Sequence, residues 1–359
     1  MPDLPIGSLE RSTSGDALTL VLRALARHET VSTPEMHAAF GVVMAGAATP
    51  VQAAALLMGL RARGESADEV AGAALALRDA MLPLVVPRPD ELVDTCGTGG
   101  GTVSTFNIST AAAFVAAAAG VRVAKHGNRS FTSRCGSADV IEALGVPLDV
   151  SVEVMAEVLD RAGVVFMFAP LMHPAMRHLT AVRRELAVPT IMNAVGPLAN
   201  PAWARRQVIG VGDPARLELM AAAVRTLGAT HALVVHGEPG LDEISPLGIT
   251  TVIEICDGAA PRRWSIDPAD HGLAGGTASS LAAGEPAENA ALITRVLRGD
   301  APLAARAAVA LNAAGAIYVA GRVATYGEAV ALALAALDSG AGSDALQRML
   351  AAYKSVLAR

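Results

Sequence analysis

Short apolar runs that alternate with helical stretches constrain the fold of this chain more than any other feature of its sequence. Such runs are too short for core helices and are typical of buried parallel strands, whose two faces are both covered by helices. The pattern therefore predicts an α/β domain with a mostly parallel sheet. Ligands of such sheets lie beyond the carboxyl ends of the strands. The runs occupy residues 92–93, 121–124, 164–168, 208–211, 232–235 and 251–255.

The segment before these runs has a different pattern, which predicts helices alone. Leu18, Val21 and Leu25 recur at helical spacing, and residues 66–69 read Ser-Ala-Asp-Glu, a capping box that opens a further helix. We therefore expect two domains. The predicted boundaries are 1–85 for a small all-helical domain, which helices within 172–198 join, and 86–359 for the α/β domain.

Composition and charge argue against several classes of protein. The chain has 359 residues, with no apolar run long enough to cross a bilayer and no secretory signal at its N-terminus. Its net charge of −6 disfavours a general nucleic-acid binder. Cys96, Cys135 and Cys256 are odd in number and widely spaced, which fits neither a disulfide framework nor a zinc site. The sequence therefore predicts a cytoplasmic protein.

Glycines crowd the loop after the first predicted strand, in the sequence Gly-Thr-Gly-Gly-Gly at 97–101. A dinucleotide-binding loop fails here because Thr102 occupies the third glycine position and no acidic residue follows about 20 residues later. A Walker loop fails because no Gly-Lys-Ser/Thr follows. Two explanations remain, a flexible turn and an anion cradle built from backbone N–H groups.

Two further segments bring hydroxyl and basic side chains to the same predicted edge. Residues 107–110, Asn-Ile-Ser-Thr, open a helix, which indicates either simple N-capping or phosphate binding at free helix N–H groups. Residues 125–129, Lys-His-Gly-Asn-Arg, follow the second predicted strand. Because the carboxyl ends of parallel strands meet at one edge, these segments and the glycine-rich loop should lie together.

Two charged pairs have a structural explanation, and for one of them a functional explanation is also open. Asp242 and Glu243 lie in a predicted loop, where acidic pairs are usually solvated, but Mg²⁺ bound to substrate phosphates also uses one or two such carboxylates. Arg183 and Arg184 lie in a helical stretch, where charge on the exposed face is the default.

These segments, taken together and in this order, resemble the anthranilate phosphoribosyltransferase family over nearly the whole chain. KHGNR joined to the other patterns is specific. The family patterns are matched by GTGG at 97–100, NIST at 107–110, KHGNR at 125–129, GSAD at 136–139, HPAMR at 173–177, VGPLANP at 195–201, GLDEIS at 240–245, PAEN at 286–289 and LNAAGAIYVAG at 311–321.

The resemblance implies a fold like that of the pyrimidine nucleoside phosphorylases. A small helical domain is hinged to a larger α/β domain, in a homodimer built through the helical domains. The implied reaction transfers the phosphoribosyl group of 5-phosphoribosyl-1-pyrophosphate (PRPP) to the amine of anthranilate, releasing pyrophosphate, as a step of tryptophan biosynthesis. Mg²⁺ is the implied cofactor.

The resemblance also implies roles for individual residues. The implied catalytic residues are Lys125, Asn128 and Arg183, of which the last two contact anthranilate. The implied ligands of Mg²⁺ are Ser109, Asp242 and Glu243. The implied substrate contacts are Gly97, Gly100, Gly101, Thr105, Asn107, Ile108, Ser109, Thr110, Lys125, His126, Gly127, Asn128, Arg129, Ser130, Phe131, Thr132, Ser133, Ser137 and Arg183.

Two departures from the family pattern stand out. Gly101 occupies a position where the family usually has Asp, which removes a carboxylate near the pyrophosphate. Residues 189–193, Pro-Thr-Ile-Met-Asn, replace a family segment that often carries an Arg-Thr pair, and we expect this change to affect packing or domain closure.

Two alternative functions share this fold. A pyrimidine nucleoside phosphorylase would use phosphate and a nucleoside, and a non-catalytic homologue would bind nucleic acid through a basic groove. The KHGNR and GLDEIS segments favour the transferase over the phosphorylase. The acidic net charge, with Asn128 and Arg183 both present, favours it over the nucleic-acid binder.

Overall fold

A computed structural model describes residues 14–130 and 134–359 of the chain, so three predicted contacts, Phe131, Thr132 and Ser133, lie outside the described residues. The strands are β1 (Leu92–Gly97), β2 (Arg122–Gly127), β3 (Val164–Phe168), β4 (Arg206–Gly210), β5 (His231–Gly237), β6 (Thr250–Cys256) and β7 (Arg262–Ile266). The helices are α1 (Ser14–Ala26), α2 (Thr33–Met44), α3 (Pro50–Arg63), α4 (Ala67–Asp79), α5 (Ile108–Ala118), α6 (Ser137–Ala143), α7 (Val152–Ala162), α8 (Ala169–Met172), α9 (Arg177–Leu186), α10 (Ile191–Val195), α11 (Leu217–Thr226), α12 (Pro286–Arg298), α13 (Leu303–Val319), α14 (Tyr326–Asp338) and α15 (Ala341–Leu357).

The first helices form as their capping residues predict. Ser66 accepts a hydrogen bond from the Glu69 backbone N–H, and the Glu69 carboxylate accepts one from the Ser66 N–H, which closes the predicted capping box of α4. Glu69 is fully buried and also accepts from the Val31 N–H at 3.0 Å and from the Arg63 guanidinium. One carboxylate therefore fixes the start of α4 to the end of α3 and to the segment before α2.

The strands form one sheet in the order β3-β2-β1-β4-β5-β6-β7. The five strands from β3 to β5 are parallel, which confirms the predicted mostly parallel α/β sheet. The prediction of a parallel strand at 251–255 is wrong, because β6 pairs antiparallel with β5. No helix lies between these two strands, and a parallel pairing needs a helical crossover. The edge strand β7 has two exposed arginines and was not predicted.

The sheet buries both faces, as the sequence pattern requires. α5 and α13 lie on one face, where they pack with Val208 and Leu233. The alternate residues Ile209 and Val234 point to the other face, into a core that also contains the buried side chains of α1–α4 and α9–α11. The helical part of the chain is therefore packed against one face of the sheet through α11, which contacts α4 on one side and β5 and β6 on the other.

No single helix in the described residues has both the length and the apolar character needed to cross a membrane. Two helix pairs, α12 with α13 and α14 with α15, meet those criteria by length and composition together, but they bend by 75° and 71° at their junctions.

Candidate active site

The carboxyl ends of β1, β2, β4 and β5 bring four loops to one rim of the sheet. The loop after β1 hydrogen-bonds to the end of β4, from the Thr98 N–H to the Gly210 carbonyl at 2.8 Å. The Thr98 hydroxyl in turn accepts from the Gly212 N–H at 3.1 Å. The segment after β5 contributes the Gly240 carbonyl, which accepts from the Thr102 N–H at 2.9 Å. The glycine-rich loop is therefore a fixed element of the rim.

Three glycines at strand ends make room for the acidic loop that follows β5. A Cβ added at Gly97 would lie 2.5 Å from the Asp242 carboxylate, and one added at Gly237 would lie 2.5 Å from the Glu243 carbonyl. A Cβ at Gly210 would overlap the carbonyl oxygen of Asp242. The loop is thus pressed onto the ends of β1, β4 and β5, and only glycine permits this approach.

Asp242 and Glu243 are held by backbone donors rather than by cationic side chains. Asp242 Oδ2 accepts from the Gly99 N–H at 2.9 Å, and Glu243 Oε1 accepts from the Ser109 N–H at 3.2 Å. Burial raises the pKa of Asp242. Burial and then the neighbouring Asp242 charge raise the pKa of Glu243 to about 8. The raised pKa values indicate negative charge that the protein alone leaves undercompensated.

Lys125 lies beneath the same cluster with only 3% of its surface exposed. Its Nζ donates to the Thr95 carbonyl and, at 3.1 Å, to the Ser109 hydroxyl. Ser109 therefore contacts both the lysine, through its hydroxyl, and Glu243, through its N–H. This brings together three of the residues that the family resemblance assigned to substrate and metal.

A third carboxylate, that of the fully buried Asp94, supports this cluster and was not predicted. It accepts from the His126 N–H at 3.2 Å and from Asn200 Nδ2 at 2.7 Å, which ties β1 to β2 and to the segment before β4. Burial raises the pKa of Asp94, and the Lys125 charge opposes that rise. A lone acidic residue inside an apolar strand was the available sequence signal.

The loop after β2 is folded back onto the start of α6. The Asn128 carbonyl accepts from the Ala138 N–H at 3.1 Å and the Ser137 hydroxyl at 3.3 Å. Arg129 pairs with Asp139 and with Glu142, at 2.8 Å in each case. Its guanidinium is therefore already engaged by two carboxylates, which a phosphate ligand would have to share or displace.

The predicted contacts at the start of α5 differ in their access to the rim. Ile108 and Thr110 are fully buried, so their side chains offer no surface to a ligand. Asn107 is partly buried, and its Nδ2 donates to the Cys135 carbonyl at 3.2 Å. Its Oδ1 accepts from Asn289 Nδ2 at 3.0 Å, which connects the PAEN segment to this helix start. Thr105 forms an isolated antiparallel β-bridge with Ala282.

Arg183 lies on α9, on the helical side of the molecule. α9 packs against α2 and α3, and the guanidinium has no hydrogen bond or ion pair among the described residues. Partial burial lowers its pKa. The two predicted anthranilate contacts, Arg183 and Asn128, therefore lie on separate parts of the fold, the helical part and the rim.

His126, another predicted contact, packs edge-on against His173 with ring centroids 4.9 Å apart. Burial lowers the pKa of His126 well below its usual range, and burial lowers the pKa of His173 to about 4. Both rings are therefore neutral at physiological pH and pack as uncharged rings.

The sequence matches two known domain families, and these matches give the class of the protein. Residues 19–81 match the helical bundle domain of the glycosyl transferase family, and residues 89–343 match its a/b domain. The protein is thus a glycosyl transferase built from these two parts.

Relatives narrow this class to one activity. The chain is 48% identical to an anthranilate phosphoribosyltransferase of Roseiflexus castenholzii over 86% of this chain and 90% of that protein. It is 46% identical to that of Rubrobacter xylanophilus over 94% and 98%. The chain belongs to the anthranilate phosphoribosyltransferase family, and it has this enzyme activity, a step of tryptophan biosynthesis.

Solved structures show the same fold. The anthranilate phosphoribosyltransferase of Thermus thermophilus superposes with a TM-score of 0.87 at 44% identity, covering 93% of this chain and 99% of that one. The Saccharomyces cerevisiae enzyme in complex with PRPP and Mg gives a TM-score of 0.86 at 26% identity, covering 95% and 98%. The predicted transferase activity and two-part fold are confirmed.

Proposed function

We propose that the rim described above binds PRPP with Mg²⁺ and presents it to anthranilate held between the rim and α9. The observation that carries this proposal is the carboxylate pair Asp242 and Glu243, half-buried beside Lys125 and Ser109 at the strand ends. Complexes of the yeast relative, one with PRPP and Mg and one with 4-fluoroanthranilate, support the choice of ligands.

The side chains at the acidic pair fit Mg²⁺. This ion prefers hard oxygen donors and usually combines one or two carboxylates with substrate phosphates. Asp242, Glu243 and the Ser109 hydroxyl are such donors, and a bound cation would supply the positive charge that the raised carboxyl pKa values call for. When bound, Mg²⁺ stabilises the charge that develops on the leaving pyrophosphate.

Backbone groups and Lys125 are the proposed phosphate ligands. Gly99 and Gly100 have φ angles of 67° and 77°, a conformation in which successive N–H groups can point to one anion. The N–H groups at the start of α5 lie beside them. These groups already donate within the protein, from Ile108 to the Phe106 carbonyl, from Ser109 to Glu243 and from Thr110 to the Asn107 carbonyl, so a phosphate at this helix start would have to displace those contacts. With Asn107, Ser109 and Lys125 these groups surround the part of the rim where we place PRPP.

We assign anthranilate to Asn128 and Arg183. A guanidinium binds a carboxylate with two parallel hydrogen bonds, and Arg183 has no partner among the described residues that would compete. The aromatic amine is uncharged at neutral pH, so its attack needs orientation more than a strong base. The amine nitrogen bonds to C1 of the ribose, the C1–O bond to pyrophosphate breaks, and the amine loses a proton.

Three further proposals concern the domain boundary, the cellular compartment and the oligomeric state. We place the domain division at residues 85 and 86, with α9 and α10 counted in the helical domain because they pack against α2–α4. We place the protein in the cytoplasm, because the odd number and wide spacing of its three cysteines do not fit a disulfide framework. We propose a homodimer through the helical domains, on the grounds developed in the Discussion.

The loss of anthranilate fluorescence on adding PRPP tests the assignment of the site. We expect Asp242→Asn with Glu243→Gln to lower kcat at least about 100-fold at saturating Mg²⁺, because the ligands of the ion are gone. We expect Arg183→Ala to raise the KM for anthranilate about 10-fold or more and to leave the KM for PRPP near that of the wild type.

Arg184→Ala is the matched control, since it removes a neighbouring guanidinium that is exposed on the same helix. Its kinetics should equal those of the wild type. A double variant of the acidic pair with the wild-type Mg²⁺ dependence would contradict the metal assignment, and an Arg183 variant with an unchanged KM for anthranilate would contradict the amine-site assignment.

A further inference from the structure

Asn312, in the middle of α13, is a buried amide with no role in the site assigned so far. Only 3% of its surface is exposed. Its Oδ1 accepts from the Ile244 N–H at 2.9 Å, and its Nδ2 donates to the Ile244 carbonyl at 2.8 Å. Nδ2 also donates to the Ala308 carbonyl at 2.9 Å, within its own helix. The side chain therefore pairs with both backbone groups of one residue, as a neighbouring β-strand would.

Ile244 directly follows Glu243, so the contact with Asn312 fixes the backbone next to a proposed metal ligand. A small cavity under the acidic pair is lined by Asn312 together with Ser109 and Glu243. The amide is thus adjacent to two of the proposed metal ligands, yet its own polar atoms point to the backbone and not to the ligand space.

α13 approaches the acidic loop closely one turn further along. A Cβ added at Gly315 would lie 3.1 Å from the Ile244 side chain and 3.2 Å from Val208 of β4. The helix therefore holds Ile244 in two ways, its backbone through Asn312 and its side chain in the space above Gly315. Ile244 itself is fully buried, so water cannot replace a lost hydrogen bond at low cost.

The backbone on either side of the acidic pair is also held, by hydrogen bonds of Leu241 with Gly237 and of Ser245 with Thr250. The carboxylates themselves are held by the Gly99 and Ser109 N–H groups. Those two hydrogen bonds involve the oxygen atoms that a cation would use, so they compete with metal binding. The contact to Asn312 does not compete, because it fixes the backbone and leaves the carboxylates free. It is therefore suited to hold the loop in place whether or not the ion is bound.

We propose that Asn312 is a positioning residue that fixes the acidic pair in the geometry needed for Mg²⁺, an inference that rests on the proposed role of Asp242 and Glu243. Residues that orient metal ligands without touching the metal typically change metal affinity by about 10- to 100-fold when replaced. We expect a weakening of that size for Asn312→Ala. We expect the same for Asn312→Asp, which keeps the shape but cannot donate to the two carbonyls.

The test measures cation binding directly, with Mn²⁺ as the probe for the Mg²⁺ site. Free Mn²⁺ is followed by electron paramagnetic resonance during titration of the PRPP complex, and hydrogen exchange of the peptide containing residues 241–247 is followed by mass spectrometry. Both Asn312 variants should raise the dissociation constant of Mn²⁺. Asn312→Ala, which removes the acceptor of the Ile244 N–H, should also speed exchange at Ile244. Val319→Ala, a buried truncation two turns further along α13, controls for a general loss of stability and should change neither.

The double variant Asp242→Asn with Glu243→Gln separates this inference from the proposed function. If that variant binds Mn²⁺ as the wild type does, the metal assignment itself fails. If it loses Mn²⁺ while both Asn312 variants keep wild-type affinity and wild-type exchange, only the role of Asn312 is overturned.

If the variants fail to fold, hydrogen exchange of the Ile244 amide in the wild-type protein still tests the inference. A hydrogen-bonded, buried Ile244 amide should exchange as slowly as the core amides of β5. Exchange as fast as that of an exposed loop would overturn the inference.

Discussion

At the scale of single residues, Gly101 lies so close to a neighbouring loop that the position has no room for a side chain. A Cβ at this position would lie 2.6 Å from the Gly240 carbonyl oxygen. That same oxygen accepts from the Thr102 N–H at 2.9 Å and from the Val103 N–H at 3.4 Å. The position therefore leaves no room for a side chain while the two loops keep this arrangement.

We expect Gly101→Asp to destabilise the protein by about 1–3 kcal/mol and to lower kcat, because the new Cβ must push the Gly240 loop away from the rim. Urea unfolding and the fluorescence assay measure the two effects. Gly101→Ala separates crowding from charge, since it adds the Cβ alone and should cause most of the loss.

Gly41→Ala is the matched control for these two substitutions. It adds the same methyl group in open space within α2, where alanine favours the helix, and it should not destabilise. A Gly101→Asp protein as stable and active as the wild type would show that the loops yield without cost.

At the scale of secondary-structure elements, Glu254 joins the last strands of the sheet to α13. Its carboxylate accepts from His231 of β5 at 2.9 Å, from Arg262 of β7 at 2.6 Å and from Tyr318 of α13 at 2.8 Å. Burial alone would raise the pKa of Glu254, but these hydrogen bonds outweigh it and lower the pKa to about 2. The antiparallel strands that close the sheet are thus fixed by one ionised side chain.

The lowered pKa predicts how stability depends on pH. Because the folded protein holds the carboxylate ionised more strongly than the unfolded chain does, the stabilisation is complete above about pH 4.5 and is lost as the pH falls towards 2. We expect Glu254→Gln to lower the free energy of unfolding by about 2 kcal/mol at pH 7, a figure reduced for the exposure of Arg262 to solvent.

Urea unfolding at pH 7, 4.5 and 3.5 measures this difference, which should shrink towards the lowest pH. Glu218→Gln is the control, because its pair with Arg263 is exposed and should contribute little at any pH. A difference between wild type and Glu254→Gln that stays constant from pH 7 to 3.5 would contradict the role of the ionised carboxylate.

At the scale of the whole molecule, the helical domain carries an apolar surface that residues 14–130 and 134–359 leave exposed. Val51, Ala55 and Met58 are exposed at helical spacing on α3, and Leu20 is exposed on the neighbouring α1. Val51 is 78% exposed, although apolar stripes of this kind normally face a core. This surface supports a homodimer in which the helical domains of two chains meet.

We expect Val51→Glu combined with Met58→Glu to separate the dimer, because two carboxylates would be buried without partners in the interface. Sedimentation equilibrium measures the change, from twice the chain mass of 36.4 kDa to that mass itself. Leu303→Glu is the control, since Leu303 is 84% exposed at the start of α13, away from the helical domain. A wild-type protein that sediments as a monomer would refute the proposal outright.

Much of this fold could be predicted from the sequence because its signals are local. The capping box at Ser66 and Glu69 involves residues three apart, and each parallel strand was marked by its own apolar run. β6 was predicted as a strand but with the wrong direction, since strand direction depends on the pairing partner. The edge strand β7 was not predicted, because two exposed arginines masked its alternation.

The sequence by itself determined the fold class, the family and the segments that meet at the rim. Only the tertiary structure decided how those segments hold one another. Asn312 and Ile244 are 68 residues apart, and Gly99 and Asp242 are 143 apart. Neither contact leaves a local pattern in the chain, because a side-chain amide or a backbone N–H in a loop acquires its partner only when distant elements pack together.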